Sequence, residues 1–336
     1  MGKVAFVLGG GGWGTALGLV LAESFDKVWL WENQADYALE MEASRENTRY
    51  LPGVHLPKNV QVTADASKLA DAELLVLSVP SSFHRQVWRQ SLKFSKPSQV
   101  AVIATKGVEP ESLLTMCQVA EEECKQAGQA GPRFVTLSGP SHAEEVGRRQ
   151  ATTVVVAGDD PAATAAAQAA FNRDWFRVYT SPDHLGVELG GALKNVVALA
   201  AGVADGLGLG DNAKAALITR GLAEMTRLGV AMGAQAETFA GLSGVGDLVV
   251  TCMSRHSRNR SVGERLGKGE KWAEIQKTFK QAVEGAVTAR SAVELGAKYK
   301  VELPIAEQVH AILYQGKDAK QAFADLLKRR SKAEAE

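Results

Sequence analysis

The feature that most constrains this chain is a run of glycines at the end of a short apolar segment. Gly9, Gly10, Gly11, Gly12, Trp13 and Gly14 follow Val4–Leu8 and precede an amphipathic stretch from Thr15 to Ser24. The run satisfies G-x-G-x-x-G in the order strand, turn, helix, the context that makes the motif informative. Gly9 suits the tight turn, Gly11 lets backbone approach a pyrophosphate, and Gly14 permits close helix–sheet packing. The first amides of the helix, with its dipole, then face the negative charge. The pattern predicts a dinucleotide-binding βαβ unit. A carboxylate is expected about 20 residues further on, where it holds the ribose hydroxyls, and Glu32 follows the apolar run Val28–Trp31. Its charge repels a 2′-phosphate and so favours NAD over NADP. Asn33 and Arg45 nearby keep NADP open, and Glu32 also reads as an ordinary solvated turn residue.

From Lys3 to about Thr180 short Val-, Ile- and Leu-rich runs alternate with longer amphipathic stretches, the rhythm of βαβ units on a parallel sheet. Strands are expected at Val4–Leu8, Val28–Trp31, Glu73–Ser78, Val100–Thr105, Phe134–Leu137, Thr153–Ala157 and Arg177–Tyr179. Helices are expected at Thr15–Ser24, Asp36–Glu46, His84–Gln90, Ser112–Gly128 and Ala162–Phe171. After Pro182 the apolar period becomes three to four residues, over His184–Ala204, Ala213–Met232, Ala273–Thr278 and Ala286–Lys298, so this half reads as helical. The expectation is a Rossmann-like doubly wound α/β domain over residues 1–180, followed by an all-α domain over 181–336 that carries substrate and catalytic groups. Only the charged tail from Lys328 to Glu336 reads as prone to fray.

Composition narrows the function. Lys plus Arg and Asp plus Glu balance at 38 each, leaving no global field to hold nucleic acid or an acidic membrane. The first residues, Met1 to Leu8, lack the basic region and cleavage site of a signal peptide, and no apolar stretch reads as a membrane span. Cys117 and Cys124 fall in one expected helix and Cys252 lies far away, which gives neither a disulfide framework nor metal-ligand spacing. A reducing, cytoplasmic setting follows. The six histidines, at 55, 84, 142, 184, 256 and 310, show no H-E-x-x-H pairing, so no metal is expected, and no Gly-x-Ser-x-Gly elbow points to a serine hydrolase.

Ligands of an open parallel sheet sit outside the carboxyl ends of the strands. Lys106, followed by Gly107, closes the strand Val100–Thr105 and can aim its ammonium into that crevice; it also reads as a snorkelling surface lysine. Ser138, Gly139, Pro140 and Ser141 form a rigid turn whose amides can face an anion, or a plain strand-to-helix turn. In the helical half Lys194 is a lone cation within Gly190-Gly191-Ala192-Leu193-Lys194-Asn195-Val196-Val197-Ala198. Partial burial there lowers its pKa toward the range of an acid–base catalyst, and Gly190 with Gly191 lets another backbone or a ligand approach; a rim lysine with its head in water is the alternative. Gly241–Asp247 is a glycine-rich turn ending in a carboxylate. Arg255, Arg258 and Arg260, with Ser257 and Asn259 at an expected helix start, form a compact oxyanion site suited to a phosphate monoester, or else a solvated basic turn. Gly263, Gly267 and Gly269 read as breaks in this region.

Taken in order, Gly-Gly-Trp-Gly-Thr-Ala-Leu, Ala-Thr-Lys-Gly, Ser-Gly-Pro-Ser, Gly-Gly-Ala-Leu-Lys-Asn, Gly-Val-Gly-Asp-Leu, Ser-Arg-Asn-Arg and Val-Glu-Gly run along nearly the whole chain. This set resembles the bacterial-type NAD(P)-dependent sn-glycerol-3-phosphate dehydrogenases. The resemblance implies interconversion of dihydroxyacetone phosphate and sn-glycerol 3-phosphate by hydride transfer, supplying glycerophospholipid synthesis, in a cytoplasmic homodimer. By resemblance Lys194 is the proton acceptor, with Lys106, Asp247 and Thr251 near the reacting carbons. Gly139, Ser141, Asn195, Ser257, Arg258 and Asn259 fall at substrate contacts, and Gly12, Trp13, Lys106, Ala143, Arg258, Ala282 and Glu284 at cofactor contacts. Gly12 stands where serine is frequent, and the pair Glu32-Asn33 replaces a less acidic one. The alternatives are another lysine-dependent two-domain dehydrogenase, of the 6-phosphogluconate or 3-hydroxyacid type, and a non-catalytic NADH-sensing protein.

Overall fold

In the computed structural model, which describes residues 2–279, 281–330 and 333, the apolar runs of the first half become strands of one sheet. The strands are β1 (Val4–Leu8), β2 (Lys27–Trp31), β3 (Glu46–Asn47), β4 (Leu51–His55), β5 (Val60–Thr63), β6 (Leu74–Leu77), β7 (Val100–Ile103), β8 (Arg133–Ser138), β9 (Thr152–Ala157) and β10 (Phe176–Ser181). Eight of them pair in the order β10-β9-β8-β7-β6-β1-β2-β5. The chain moves outward from β1 through β2 to β5, then returns to the other side of β1 as β6. The order therefore reverses between β1 and β6, and the crevice of a doubly wound sheet opens at that point. The glycine run leaves β1 there and enters the helix Gly12–Leu21. Both faces of the sheet are covered, one by a core that includes Leu17, Val20 and Met41, the other by one that includes Trp88, Met116 and Val119. Strands buried on both sides need apolar residues at every position, which is why they read as continuous runs.

Two parts of the sheet depart from the sequence expectation. The sheet is not wholly parallel, since β9 runs antiparallel to β8 while β10 runs parallel to β9. The only helix linking β8 to β9 is Ala143–Gly147, one short turn too small for a crossover, so the chain doubles back. Three strands were not expected: the antiparallel pair β3 and β4, and the edge strand β5 beside β2. The helix expected to reach Glu46 ends at Ser44, where Arg45 adopts a left-handed conformation, and the next two residues form β3.

The second half is helical, as the period indicates. Its centre is the helix His184–Gly206, whose residues from Gly186 to Ala204 are all buried. By length and composition this helix is apolar enough to cross a membrane, contrary to the reading that no stretch is, but 94% of its most apolar window lies inside the protein. Helices Gly210–Ala231, Arg258–Gly267 and Glu284–Tyr299 pack around it, followed by Pro304–Tyr314 and Ala319–Leu327, which the period alone did not single out. Of the tail expected to fray, residues 331, 332 and 334–336 lie outside those described.

Gly263 and Gly267 do not break the chain. They lie within the helix Arg258–Gly267 and face Gly202 and Gly206 of the central helix. A Cβ on Gly263 would come within 2.0 Å of the Leu199 carbonyl oxygen, and one on Gly202 within 2.0 Å of the Arg260 carbonyl oxygen. The two helices therefore touch backbone to backbone. In an open helix Gly→Ala stabilises by about 0.5–1 kcal/mol, but at this contact the methyl forces the helices apart. Gly263→Ala should lower stability by about 1–3 kcal/mol, the usual cost of overpacking, read as a fall in the urea midpoint; an unchanged or raised midpoint contradicts the close packing.

Candidate functional site

The glycine run forms a cradle at the switch point, and its glycines serve different needs. Gly9 has φ +132°, which disfavours any side chain, and a Cβ on Gly14 would lie 1.9 Å from the Gly9 carbonyl oxygen. Nothing lies within 4 Å of where a Gly11 Cβ would sit, so the space over that residue is open. A Gly12 Cβ would meet the Tyr50 carbonyl oxygen at 2.6 Å, which accounts for glycine where serine is frequent, and the Ala143 methyl lies close to it at 3.7 Å. Glu32 is 6% exposed. Its Oε1 accepts from the Gln34 amide at 3.0 Å, while Oε2 lies 2.7 Å from where a Gly10 Cβ would be, so the carboxylate borders the cradle. Asn33, by contrast, is exposed. The indole Nε1 of Trp13 is buried without a hydrogen-bond partner. A positive-φ turn, an open face over Gly11 and a carboxylate at the end of the second strand fit a dinucleotide.

Sequence reading missed the residue that braces this cradle. The fully buried Asn47 donates to the Gly10 carbonyl at 2.8 Å and to Thr15 Oγ1 at 2.7 Å, and accepts from the Tyr37 hydroxyl at 2.7 Å. It reaches the loop only because β3 passes beside it, and no spacing in the sequence signals that.

The second part of the site is a buried charge cluster. The Lys194 Nζ donates to Asp247 Oδ1 and, at 2.8 Å, to Thr251 Oγ1. Lys106 Nζ donates to the other carboxylate oxygen of Asp247 at 2.7 Å, with the Gly139 carbonyl at 3.4 Å. Lys194 is 6% exposed and Asp247 1%. Burial pushes the Lys194 amine down to about 8 against the upward pull of Asp247. Burial also acts to raise Asp247, but Lys106 and Lys194 outweigh it and hold the carboxyl below the usual range.

Local sequence explains how these groups meet. The central helix presents Gly190 and Gly191 one turn before Lys194. A Cβ on Gly190 would lie 2.7 Å from the Ser243 carbonyl oxygen, so its absence admits the turn Leu242–Gly246, a segment kinked at Gly244 that delivers Asp247. A Cβ on Gly191 would lie 2.6 Å from Ser138 Oγ and 3.5 Å from the Lys106 side chain, so its absence admits the ends of β8 and β7. Asp247 then opens the helix Asp247–Met253, which places Thr251 one turn on.

Around this centre Gly139 takes φ +130°, and its carbonyl accepts from Ser141 Oγ at 2.9 Å. Asn259 donates to Asn195 Oδ1 at 2.9 Å and accepts from the Gly285 amide at 2.9 Å, so the two asparagines form one buried chain. Ser257 caps the helix that begins at Arg258, accepting from the Arg260 amide. Arg258 is exposed, and its charge acts on Glu284. Glu284 accepts from the Ser81 amide at 3.0 Å and from the Ser81 hydroxyl, linking the helical half to the start of the helix Ser81–Leu92 that follows β6; burial raises its pKa. Ala282, beside it in the chain, is half-buried. The three-arginine oxyanion cluster needs correction. Arg260 is committed to Asp205, an ion pair that also holds Lys214, so it is not free for a ligand, and Arg255 is exposed. His142 and Ser138 were not singled out as individual ligands, yet His142 Nε2 and Ser138 Oγ are buried without partners near the cluster. Burial and then the charge of Lys194 lower the His142 pKa, keeping the imidazole neutral.

Comparison with known proteins gives one consistent result. The family described as NAD-dependent glycerol-3-phosphate dehydrogenase N-terminus matches residues 3–164, and the one described as its C-terminus matches residues 183–324. The chain is 47% identical over 330 residues to a glycerol-3-phosphate dehydrogenase (NAD(P)+) of Bacillus velezensis, covering 98% of this chain and 95% of that one. It is 50% identical over 317 residues to the enzyme of the same name from Pelotomaculum thermopropionicum, covering 94% of this chain and 90% of the other. The crystal structure of glycerol-3-phosphate dehydrogenase from Coxiella burnetii superposes with a TM-score of 0.92 at 37% identity, covering 97% of this chain and 99% of that one.

The bracing role of Asn47 is open to test. Asn47→Ala leaves the Tyr37 hydroxyl proton without its acceptor and the Gly10 carbonyl without its side-chain donor, a loss of about 1–3 kcal/mol for buried polar groups, and frees the loop. NADH should bind more weakly and the thermal midpoint should fall; unchanged NADH affinity contradicts the assignment.

Proposed function

The chain belongs to the NAD-dependent glycerol-3-phosphate dehydrogenase family, and we propose that Lys194, Asp247 and Lys106 are the groups through which it interconverts dihydroxyacetone phosphate and sn-glycerol 3-phosphate with NAD(P)H. The observation that carries this is the buried ammonium of Lys194, held on a carboxylate that it shares with Lys106. The family match lends no support to the other dehydrogenase types or to a non-catalytic sensor.

Gly9, Gly11, Gly12, Gly14 and Trp13 would hold the cofactor phosphates and nearby groups, and Glu32 the ribose. When bound, the nicotinamide supplies the hydride for reduction and accepts it in oxidation. In reduction Lys194, as ammonium, gives its proton to the carbonyl oxygen as charge develops there; in oxidation the neutral amine takes the hydroxyl proton. Lys106 adds a second positive charge beside that oxygen. Asp247 orients both ammonium groups, and Thr251 fixes the Lys194 head. Arg258, with the second amide proton of Asn259, the Ser257 hydroxyl and the backbone amide of Ser141, anchors the phosphate, whose binding energy keeps the carbonyl in register. Asn195 holds Asn259 in place. Residues 1–180 form the proposed dinucleotide domain and 181–336 the substrate domain, a division supported by β10 ending at Ser181 and the central helix starting at His184. The proposed assembly is a homodimer, by family resemblance. The proposed setting is the cytoplasm, where glycerol 3-phosphate feeds glycerophospholipid synthesis; three free thiols support a reducing compartment.

Lys194→Met should lower turnover of dihydroxyacetone phosphate by at least about 10²-fold, the scale of lost acid–base catalysis, while NADH binding persists; near-normal turnover overturns the assignment. The pH profile follows from the amine at about 8. Reduction needs the ammonium, so its rate holds below that pH and falls above it, whereas oxidation rises through the same point. Asp247→Asn removes the charge that raises Lys194 and leaves Lys106, which lowers it, so both limbs should move to lower pH.

The cofactor choice rests on Glu32. Initial rates with dihydroxyacetone phosphate should give a higher kcat/KM with NADH than with NADPH, and Glu32→Ser should narrow the gap. A preference for NADPH in the unaltered enzyme rejects this role for Glu32.

A further inference from the structure

Away from the reaction centre, a second group of chemically reactive side chains converges where the two halves meet. Cys117 lies in the helix Met116–Gln126, and His184 and Glu188 lie one turn apart at the start of the central helix. One ligand atom from each, the Cys117 Sγ, a His184 ring nitrogen and a Glu188 oxygen, all fall within 4.8 Å of one another. Cys117 is a free, buried thiol. The Nε2 of His184 is buried and has no hydrogen-bond partner; it lies 3.6 Å from Glu188 Oε2, beyond hydrogen-bond reach. The Glu188 carboxylate is already oriented, since Oε1 accepts from the Cys117 amide at 3.0 Å and Oε2 from Thr115 Oγ1 at 2.6 Å, and each oxygen keeps a further lone pair. Glu121 and Asp159 add negative charge around the thiol. Among the described residues Glu188 faces His184 and makes no ion pair with a lysine or arginine. A buried imidazole nitrogen, thiol and carboxylate that converge under negative charge, with no lysine or arginine among them, form a donor set that a cation would satisfy.

We propose that Cys117, His184 and Glu188 form a binding site for a divalent transition metal of the zinc class, separate from the catalytic groups and structural in role. One sulfur, one nitrogen and one oxygen ligand suit zinc, whereas magnesium and calcium take oxygen alone. Bonds of about 2.0–2.3 Å to zinc require ligands somewhat closer together than they stand, which small rotations of His184 and Cys117 supply. Water completes the tetrahedron, and the His184 side chain, 13% exposed, is the way in. On binding, the thiol loses its proton to solvent as the sulfur–metal bond forms, with no change of oxidation state. The metal ties a helix of the sheet half to the start of the helix that carries Lys194. Sequence spacing does not show the site because Cys117 lies far along the chain from the other two ligands.

The test uses the full-length protein, stripped with a chelator, desalted and titrated with Co2+. The expected result is a tetrahedral d–d spectrum with a thiolate-to-cobalt charge-transfer band that saturates at one equivalent and is displaced by Zn2+. Zn2+ should also raise the thermal midpoint. Cys117→Ala keeps the backbone amide that Glu188 accepts from, so it should fold and retain dehydrogenase activity while losing the charge-transfer band and the Zn2+ shift. His184→Leu should lose the tetrahedral spectrum. Absence of the band in the unaltered protein, or its persistence in Cys117→Ala, overturns the proposal; the second outcome assigns the metal to another thiol.

Discussion

Asp247 sits buried between two ammonium groups, Lys194 from the central helix and Lys106 from the end of β7, and the protonation of the site follows from that unequal arrangement. Asp247 faces two cations, so their attraction exceeds the cost of burying a carboxylate and it stays ionised. Lys194 faces one anion and one cation. The attraction of Asp247 is offset by the repulsion of Lys106, so burial decides the balance and the amine falls to about 8. The same three charges thus keep the carboxylate fixed in charge and leave Lys194 able to give or take a proton near neutrality. A lysine at that position with one carboxylate partner and no second cation would hold its proton more firmly.

The cluster exists because side chains are missing around it. Gly190 and Gly191 strip one face of the central helix, which lets the 242–246 turn come to backbone distance and the side chains of Ser138 and Lys106, from the ends of β8 and β7, pack against it. Further along the same helix Gly202 and Gly206 admit Gly263 and Gly267, drawing in the helix whose first residues include Arg258 and Asn259. One buried helix therefore organises the Lys194–Asp247–Lys106 cluster at one level and Arg258 and Asn259 at the next. Polar links to the sheet half, Ser81 with Glu284 and Thr115 with Glu188, hold that helical half against the crevice. Each is a hydrogen bond to a carboxylate in partly or wholly buried surroundings, where such bonds are strong.

The glycine cradle after β1 likewise depends on missing side chains. Gly9 and Gly14 are small because the turn and the helix–strand contact demand it, Gly12 because the Tyr50 carbonyl is in the way, and Gly11 faces open space. Asn47 then ties the loop to Tyr37 and Thr15, so the cradle is rigid without a side chain of its own.

Much of this was legible in the chain. The continuous apolar runs announced buried strands, the period change after Pro182 announced helices, and Gly9–Gly14, Glu32 and Lys194 stood out by position: glycines between a strand and a helix, a carboxylate just after the next apolar run, and a lone cation in an apolar helix. Local composition dictates such features, since backbone conformation and burial act on each residue where it stands. What the tertiary structure alone decided is partnership. Nothing near Arg260 in sequence foretells that Asp205 claims it, nothing near Asn47 shows that the glycine loop lies against it, and the turn of β9 against β8 depends on a connection too short to cross over. The pairing of Lys194 with Asp247 and Lys106 is of the same kind. A charge or hydrogen bond between distant residues is set by which surfaces pack together, and that is a property of the whole fold.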